Sequence, residues 1–179
     1  LFFGCILGIL FGLLSVIKNK VCNAIALVYV NVIRGVPMIV LAFFIYIGVP
    51  YAFKNYLHMP IVFSALTAGT ICLALNCGAY MAEIVRGGII SIDKGQFEGA
   101  YSVGMTHWQA MVHVIIPQVL RNILPSISNE FVINIKDTSV LNVIGVMELY
   151  YMAGKIQSMT WDIFETYLII CVMYFIMTF

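Results

Sequence analysis

Charge interrupts this chain so rarely that few folds remain open to it. No Asp, Glu, Lys or Arg occurs in residues 35–53, and none occurs in residues 59–82. A helix needs about 20 apolar residues to cross the hydrocarbon core of a bilayer. Within lipid every backbone N–H and C=O must be paired inside the protein, so long apolar runs of this kind are helices. The composition agrees: 63% of the 179 residues are hydrophobic and 9% are charged, against roughly 25% charged in soluble domains. The sequence predicts an all-α, polytopic helical membrane protein, a single transmembrane domain over residues 1–179.

About five spans follow from the uncharged runs. Residues 1–17 form a partial first span, and residues 35–53 and 59–82 the next two. A fourth, more polar span covers about 112–135, interrupted by Arg121 and Glu130, and a fifth begins near Phe164. The first and last runs are too short to cross and read as truncated spans. Pro37 and Pro60 fall early in their spans, where proline is tolerated. Lys18, Lys20 and Arg34 lie in the first connection, Arg86 and Lys94 in the third, and only Lys54 in the second. Positive residues stay inside, so the first and third connections face the cytoplasm.

Several chemistries are unsupported. The nine Lys and Arg are scattered and make no nucleic-acid face. Cys5, Cys22, Cys72, Cys77 and Cys171 show no CxxC spacing, and His58, His107 and His113 have no ligand-spaced partners, so neither a metal site nor a disulfide framework is expected.

One stretch breaks the apolar pattern. "KGQFEGAYSVGMTHWQAMVHVIIPQ", residues 94–118, is polar and glycine-punctuated. Asp93 can cap a first helix. Gly104 suits the left-handed residue that ends it. Thr106 and Gln109 have capping-box spacing for a second helix. Pro117 would bend the chain into the membrane. The segment about 88–112 thus makes a two-helix knob outside the bilayer. Gly99, Ala100 and Gly104 keep parts of its surface small, and Glu98 supplies an acidic handle.

The spacing E-G-A-x3-G-x9-V-x-I-P, from Glu98 to Pro117, resembles the EAA motif of importer-type ATP-binding cassette (ABC) permeases, E-A-A-x3-G-x9-I-x-L-P. It departs at Gly99, Val114 and Ile116, each small or aliphatic. "YVNVIRGVPMIVLAFFIYIGVP", "LALNCGAYMAEIVRGGIISIDKGQFEGA" and "LPSISNEFVINIKDTSVLNVIGVMEL" look like the permeases for polar amino acids. The resemblance implies a subunit of the bacterial inner membrane that pairs with itself or a homologue. It implies separate ATPase subunits that bind ATP, so this chain needs no cofactor and is not itself an enzyme. It also implies a soluble binding protein that delivers an amino acid from outside. Glu98, Gly99, Ala100 and Gly104 would then couple the chain to the ATPase. "GAYSVGMT" has part of a P-loop skeleton, but Met105 stands where the phosphate-binding Lys belongs.

Polar side chains at membrane depth cost roughly 2.5–3.5 kcal/mol on insertion scales, so each asks for a reason. Asn76, Tyr80, Glu83 and Gly87 recur at helical spacing and form one stripe. It is either a packing seam or part of a substrate path through Asn76, with Glu83 paired to Arg86 or Arg34. Glu130, Lys136, Asp137, Thr138 and Ser139, with Asn129 and Asn134, form a second cluster. Both charge signs and several neutral donors suit a zwitterionic amino acid near the midplane; equally, Lys136 and Asp137 would simply neutralise each other. Residues 140–166, punctuated by Gly145 and Gly154, read as short helices on the outer side, with Tyr150, Tyr151 and Trp161 at the interface. The competing reading is an ion-coupled secondary transporter using Glu83, Glu130 and Asp137.

Overall fold

The computed structural model describes residues 1–179, and every regular element in it is helical. We number the helices α1 (Phe2–Leu14), α2 (Lys20–Gly35), α3 (Met38–Tyr56), α4 (Ala65–Ile90), α5 (Lys94–Ser102), α6 (His107–Ile144), α7 (Leu149–Thr160) and α8 (Ile163–Thr178). By length and composition α3, α4 and α6 can cross a membrane, and α1 and α8 are shorter apolar helices. The five apolar helices match the five expected runs.

Their limits differ from the expected ones for physical reasons. α4 starts at Ala65, not at residue 59, because Pro60 lies in irregular chain and the Ser64 hydroxyl caps Thr67 N–H at 3.1 Å. It continues past Glu83 to Ile90, because Arg86 neutralises that carboxylate from the next turn. Pro37 stands just before α3 as its cap residue. Within α3 a π turn covers Phe44–Gly48, and within α6 another covers Met111–Ile115. Each ends two residues before a proline, Pro50 and Pro117. A proline ring crowds the carbonyl four residues back, and the wider turn relieves it without ending the helix. Pro117 therefore does not separate a cytoplasmic helix from a span: His107 to Ile144 is one helix.

Residues 18–34, which the sequence presents as a plain connection, hold all of α2 but its last residue, Gly35. Asn19 starts it by accepting Val21 N–H at 2.9 Å. Val21, Ile25, Val28 and Val32 form an exposed apolar stripe, while Ala26 and Val30 are buried. At about 1.5 Å per residue this helix is too short to cross the bilayer. Its basic ends mask its apolar face.

The chain divides into two compact units. The first comprises Leu1–Arg34 and Cys77–Glu130. There α1 lies on α4 through glycines: Gly4, Gly8 and Gly12 are buried. A Cβ on Gly8 would stand 2.2 Å from Met81 Cβ, and one on Gly12 2.7 Å from Val85 Cβ. The spacing of four residues on each partner means that the two helices run in the same direction. Their ends leave on one side, as the Lys and Arg distribution requires. Such close approach through small residues is how helices gain contact in lipid, where the hydrophobic effect offers little. Phe11 stacks on Tyr29 of α2 at 4.1 Å between ring centroids.

The second unit comprises Gly35–Asn76 and Phe131–Phe179. Leu41 and Ala42 of α3 and Leu141 and Ile144 of α6 are buried in it. Beyond Asp137, α6 tightens into 3-10 geometry and stops at Gly145, which has φ +85°. Glu148 caps α7 through Tyr150 and Tyr151 N–H. Gly154 does not punctuate this region but sits within α7. The left-handed stop is Trp161, with φ +64°.

Candidate functional site: a docking hairpin and the polar faces behind it

The hairpin after α4 is built as its sequence dictates. Asp93 Oδ1 accepts Gly95 N–H at 2.7 Å and opens α5. Gly104, at φ +83°, closes it. Met105 N–H donates to the Ala100 carbonyl at 3.1 Å and Gly104 N–H to the Tyr101 carbonyl at 3.0 Å, the paired bonds of a Schellman stop. Thr106 then caps α6. Its hydroxyl accepts Gln109 N–H at 3.4 Å, and Gln109 Oε1 accepts Thr106 N–H at 2.8 Å.

Of the four residues expected to meet a partner, Glu98, Gly99 and Gly104 are exposed, and neither glycine has an atom within 4 Å of a would-be Cβ. Ala100 is different. It is buried, with 6% of its surface exposed, so it packs the hairpin from within. The outward face carries residues not singled out in the sequence: Tyr101, Val103 and Trp108 are all exposed, Val103 at 73% and Trp108 at 76%. Their signal is large apolar groups in a segment otherwise too polar for lipid.

The hairpin is bolted to the spans behind it. Val85, Ile92, Ile115, Val119 and Ile123 form a buried cluster, with Phe97 of α5 packed against it. Gln118 donates to Gln96 at 3.0 Å, and Asn122 donates to the Ser91 hydroxyl at 3.2 Å.

The stripe on α4 resolves into different environments. Asn76 is buried. Arg34 lies over the Tyr80 ring, 5.0 Å from its centroid, a cation–π contact. Glu83 accepts Arg86 Nε–H at 2.9 Å and also Arg86 Nη2–H. Arg86 is thus the basic partner expected for Glu83. Gly87 is exposed.

In the second cluster Glu130 and Asn134 are buried. Lys136 is exposed and Asp137 half-buried, and no salt-bridge contact joins them. Thr138 and Ser139 return their hydroxyls to the Ile135 and Lys136 carbonyls, each at 2.7 Å. Glu148 stands out only in the structure. Its carboxylate takes two backbone N–H groups and the Tyr174 hydroxyl at 3.2 Å, and so ties α8 to the start of α7.

Apolar helices long enough to span a membrane, joined to a polar hairpin with exposed apolar residues at its tip, define a multi-pass helical membrane protein. The chain belongs to the family of binding-protein-dependent transport system inner membrane components, matched over residues 4–179. It is 37% identical over 175 residues to the glutamine transport system permease protein GlnP of Escherichia coli strain K12, covering 98% of this chain and 78% of that one. It is 38% identical over 176 residues to the probable amino-acid permease protein YxeN of Bacillus subtilis strain 168, covering 98% and 77%. Among solved structures it matches an amino acid ABC transporter crystallised with histidines at TM-score 0.88 and 41% identity, over 99% of this chain and 79% of that one. The MetNI methionine ABC transporter shares the fold at TM-score 0.74 and 18% identity, over 99% and 82%. The chain is therefore an ABC importer permease subunit, a multi-pass inner membrane protein whose family works with ATPase subunits and a binding protein. An ion-coupled secondary transporter is not favoured.

Proposed function

We propose that this subunit carries a polar amino acid across the inner membrane and is driven through its hairpin by an ATPase on the cytoplasmic side. The observation that carries the reading is the hairpin itself. It is fixed by a capped start, a glycine stop and a capping box, yet it leaves Val103 and Trp108 largely exposed, beside Tyr101, whose hydroxyl meets His107 Nδ1 at 3.0 Å. A large apolar group exposed outside the bilayer marks an interaction surface. Glu98 and Gly99 lie on the same short helix and supply the acidic and close-contact parts of that surface. ATP and its hydrolysis reside on the partner, and this chain holds no cofactor of its own. Two permease chains, identical or homologous, complete the pathway. Asn76, Glu130, Lys136, Asp137, Thr138 and Ser139 line or support the substrate path. The relatives named for glutamine and for amino acids support this substrate class.

The test is hydrolysis and uptake by the reconstituted complex, with and without substrate-loaded binding protein. Gly104→Val places a β-branched residue at φ +83°, where it is strained. We expect the spans to stay folded, while docking weakens and stimulation of hydrolysis falls together with uptake. If Gly104→Val keeps full stimulation and full uptake, the hairpin is not the coupling element. For the path, Asn76→Leu and Asp137→Asn should slow uptake with the complex intact. Normal uptake in both would reduce these residues to packing.

A further inference from the structure

Adjacent glycines near the end of α4 have opposite surroundings. A Cβ on Gly88 would lie 2.1 Å from Ile123 Cγ2, so Gly88 is small to let α6 approach. A Cβ on Gly87 would meet nothing within 4 Å. Gly87 faces an open cleft of about 470 Å³, lined also by Glu83, Ser91, Asn122 and Ser126. That volume falls in the range of roughly 300–1,000 Å³ usual for small-molecule sites. No contact within this chain requires a small residue at 87.

The cleft is placed on a particular side of α4. Met81 and Val85 face α1. Glu83 is two residues from both, and Gly87 two from Val85, so both lie about 200° round the helix from that seam. They share this face with Asn76. The cleft also adjoins the hairpin: Ser91, whose hydroxyl donates to the Gly88 carbonyl at 2.8 Å and accepts from Asn122, precedes the Asp93 cap by two residues.

We propose that this cleft is the cytoplasmic exit site of the pathway and receives a free zwitterionic amino acid before release, an inference that rests on the transport reading above. Glu83 binds Arg86 with both oxygens, but each oxygen keeps a further lone pair that an α-ammonium group can use. Asn122 has a second amide N–H, and Ser126 has a hydroxyl, for the α-carboxylate. No cation is dedicated to that carboxylate. Such a site holds an amino acid weakly, as an exit must.

Two experiments test the site in the whole transporter. Gly87→Leu fills the cleft without touching the fold. Uptake of labelled L-glutamine should fall roughly ten-fold, the size of an overpacking penalty in an occupied site, while the ATPase and the permease pair still co-purify. Unchanged uptake by Gly87→Leu overturns the proposal. So does loss of the permease pair in that variant, because the cleft would then be a subunit interface. In inside-out vesicles, Ser126→Cys should react with a small methanethiosulfonate, and excess L-glutamine or L-arginine should slow the reaction; the parent protein corrects for native cysteines. Labelling indifferent to both amino acids overturns the site. If the parent transporter takes up no amino acid at all, the transport reading fails first. A working parent with an equally active Gly87→Leu sinks only the exit site.

Discussion

Single atoms decide which small residues in this chain can change. Gly8 and Gly99 look alike in the sequence, each in an apolar or mixed helix. Around Gly8 a Cβ would collide with Met81 Cβ at 2.2 Å, an atom fixed to the backbone that cannot move aside. Gly8→Ala should therefore destabilise the protein by about 1–3 kcal/mol, the usual cost of overpacking. A lower melting temperature in detergent is the readout, and an unchanged one would show that α1 is not held on this seam. Gly99 meets nothing within 4 Å and lies inside α5. Gly99→Ala also restores the alanine of the family motif. It should stabilise the hairpin by roughly 0.5–1 kcal/mol through helix propensity, with coupled hydrolysis retained. Loss of coupling in Gly99→Ala would mean that the partner approaches the backbone at 99 more closely than an alanine allows.

At the scale of elements, local hydrogen bonding is what the sequence makes legible. The Asp93 cap, the Gly104 stop and the Thr106–Gln109 box each depend on residues within a few positions, so the hairpin can be read from a short window of residues. Thr106→Ala removes one half of the capping box and should cost about 1 kcal/mol. It should lower hairpin protection in hydrogen exchange while leaving the amides of α4 unchanged. Equal loss in both elements would make the hairpin and span one cooperative unit. Helix ends are less legible. Charge marks where a span leaves the apolar core, but helical bonding runs on through Glu83 and Arg86 and through His107–Ala110. The π turns before Pro50 and Pro117 let helices pass prolines that resemble breaks in the sequence. The Gly4–Gly8–Gly12 seam has a plain signal, glycine every fourth residue in an apolar helix, which the length of the first run does not reveal. The inward turn of Ala100 and the outward turn of Trp108 depend on how α5 folds back on α6, a contact that no short window contains.

For the whole molecule, topology joins these pieces. α1 and α4 run in the same direction, so the Lys18–Lys20 connection and the hairpin leave the membrane on one side. The Lys and Arg balance makes that side the cytoplasm, where the ATPase must be. With the opposite orientation, the exposed Trp108 and Val103 would face the binding protein and the exit cleft would become an entrance. A cysteine at Gln96 separates the two cases. Gln96 is exposed and two residues from Glu98, so a thiol there is accessible from whichever side the hairpin occupies. In intact cells we expect labelling by a membrane-permeant maleimide and none by an impermeant one applied outside. The same impermeant reagent should label inside-out vesicles, and the bound ATPase should slow that labelling, since Gln96 lies on the helix that carries Glu98 and Gly99. Labelling from outside would reverse the orientation. Full labelling of vesicles at the same rate with and without ATPase would leave the orientation standing but remove the hairpin from the docking surface.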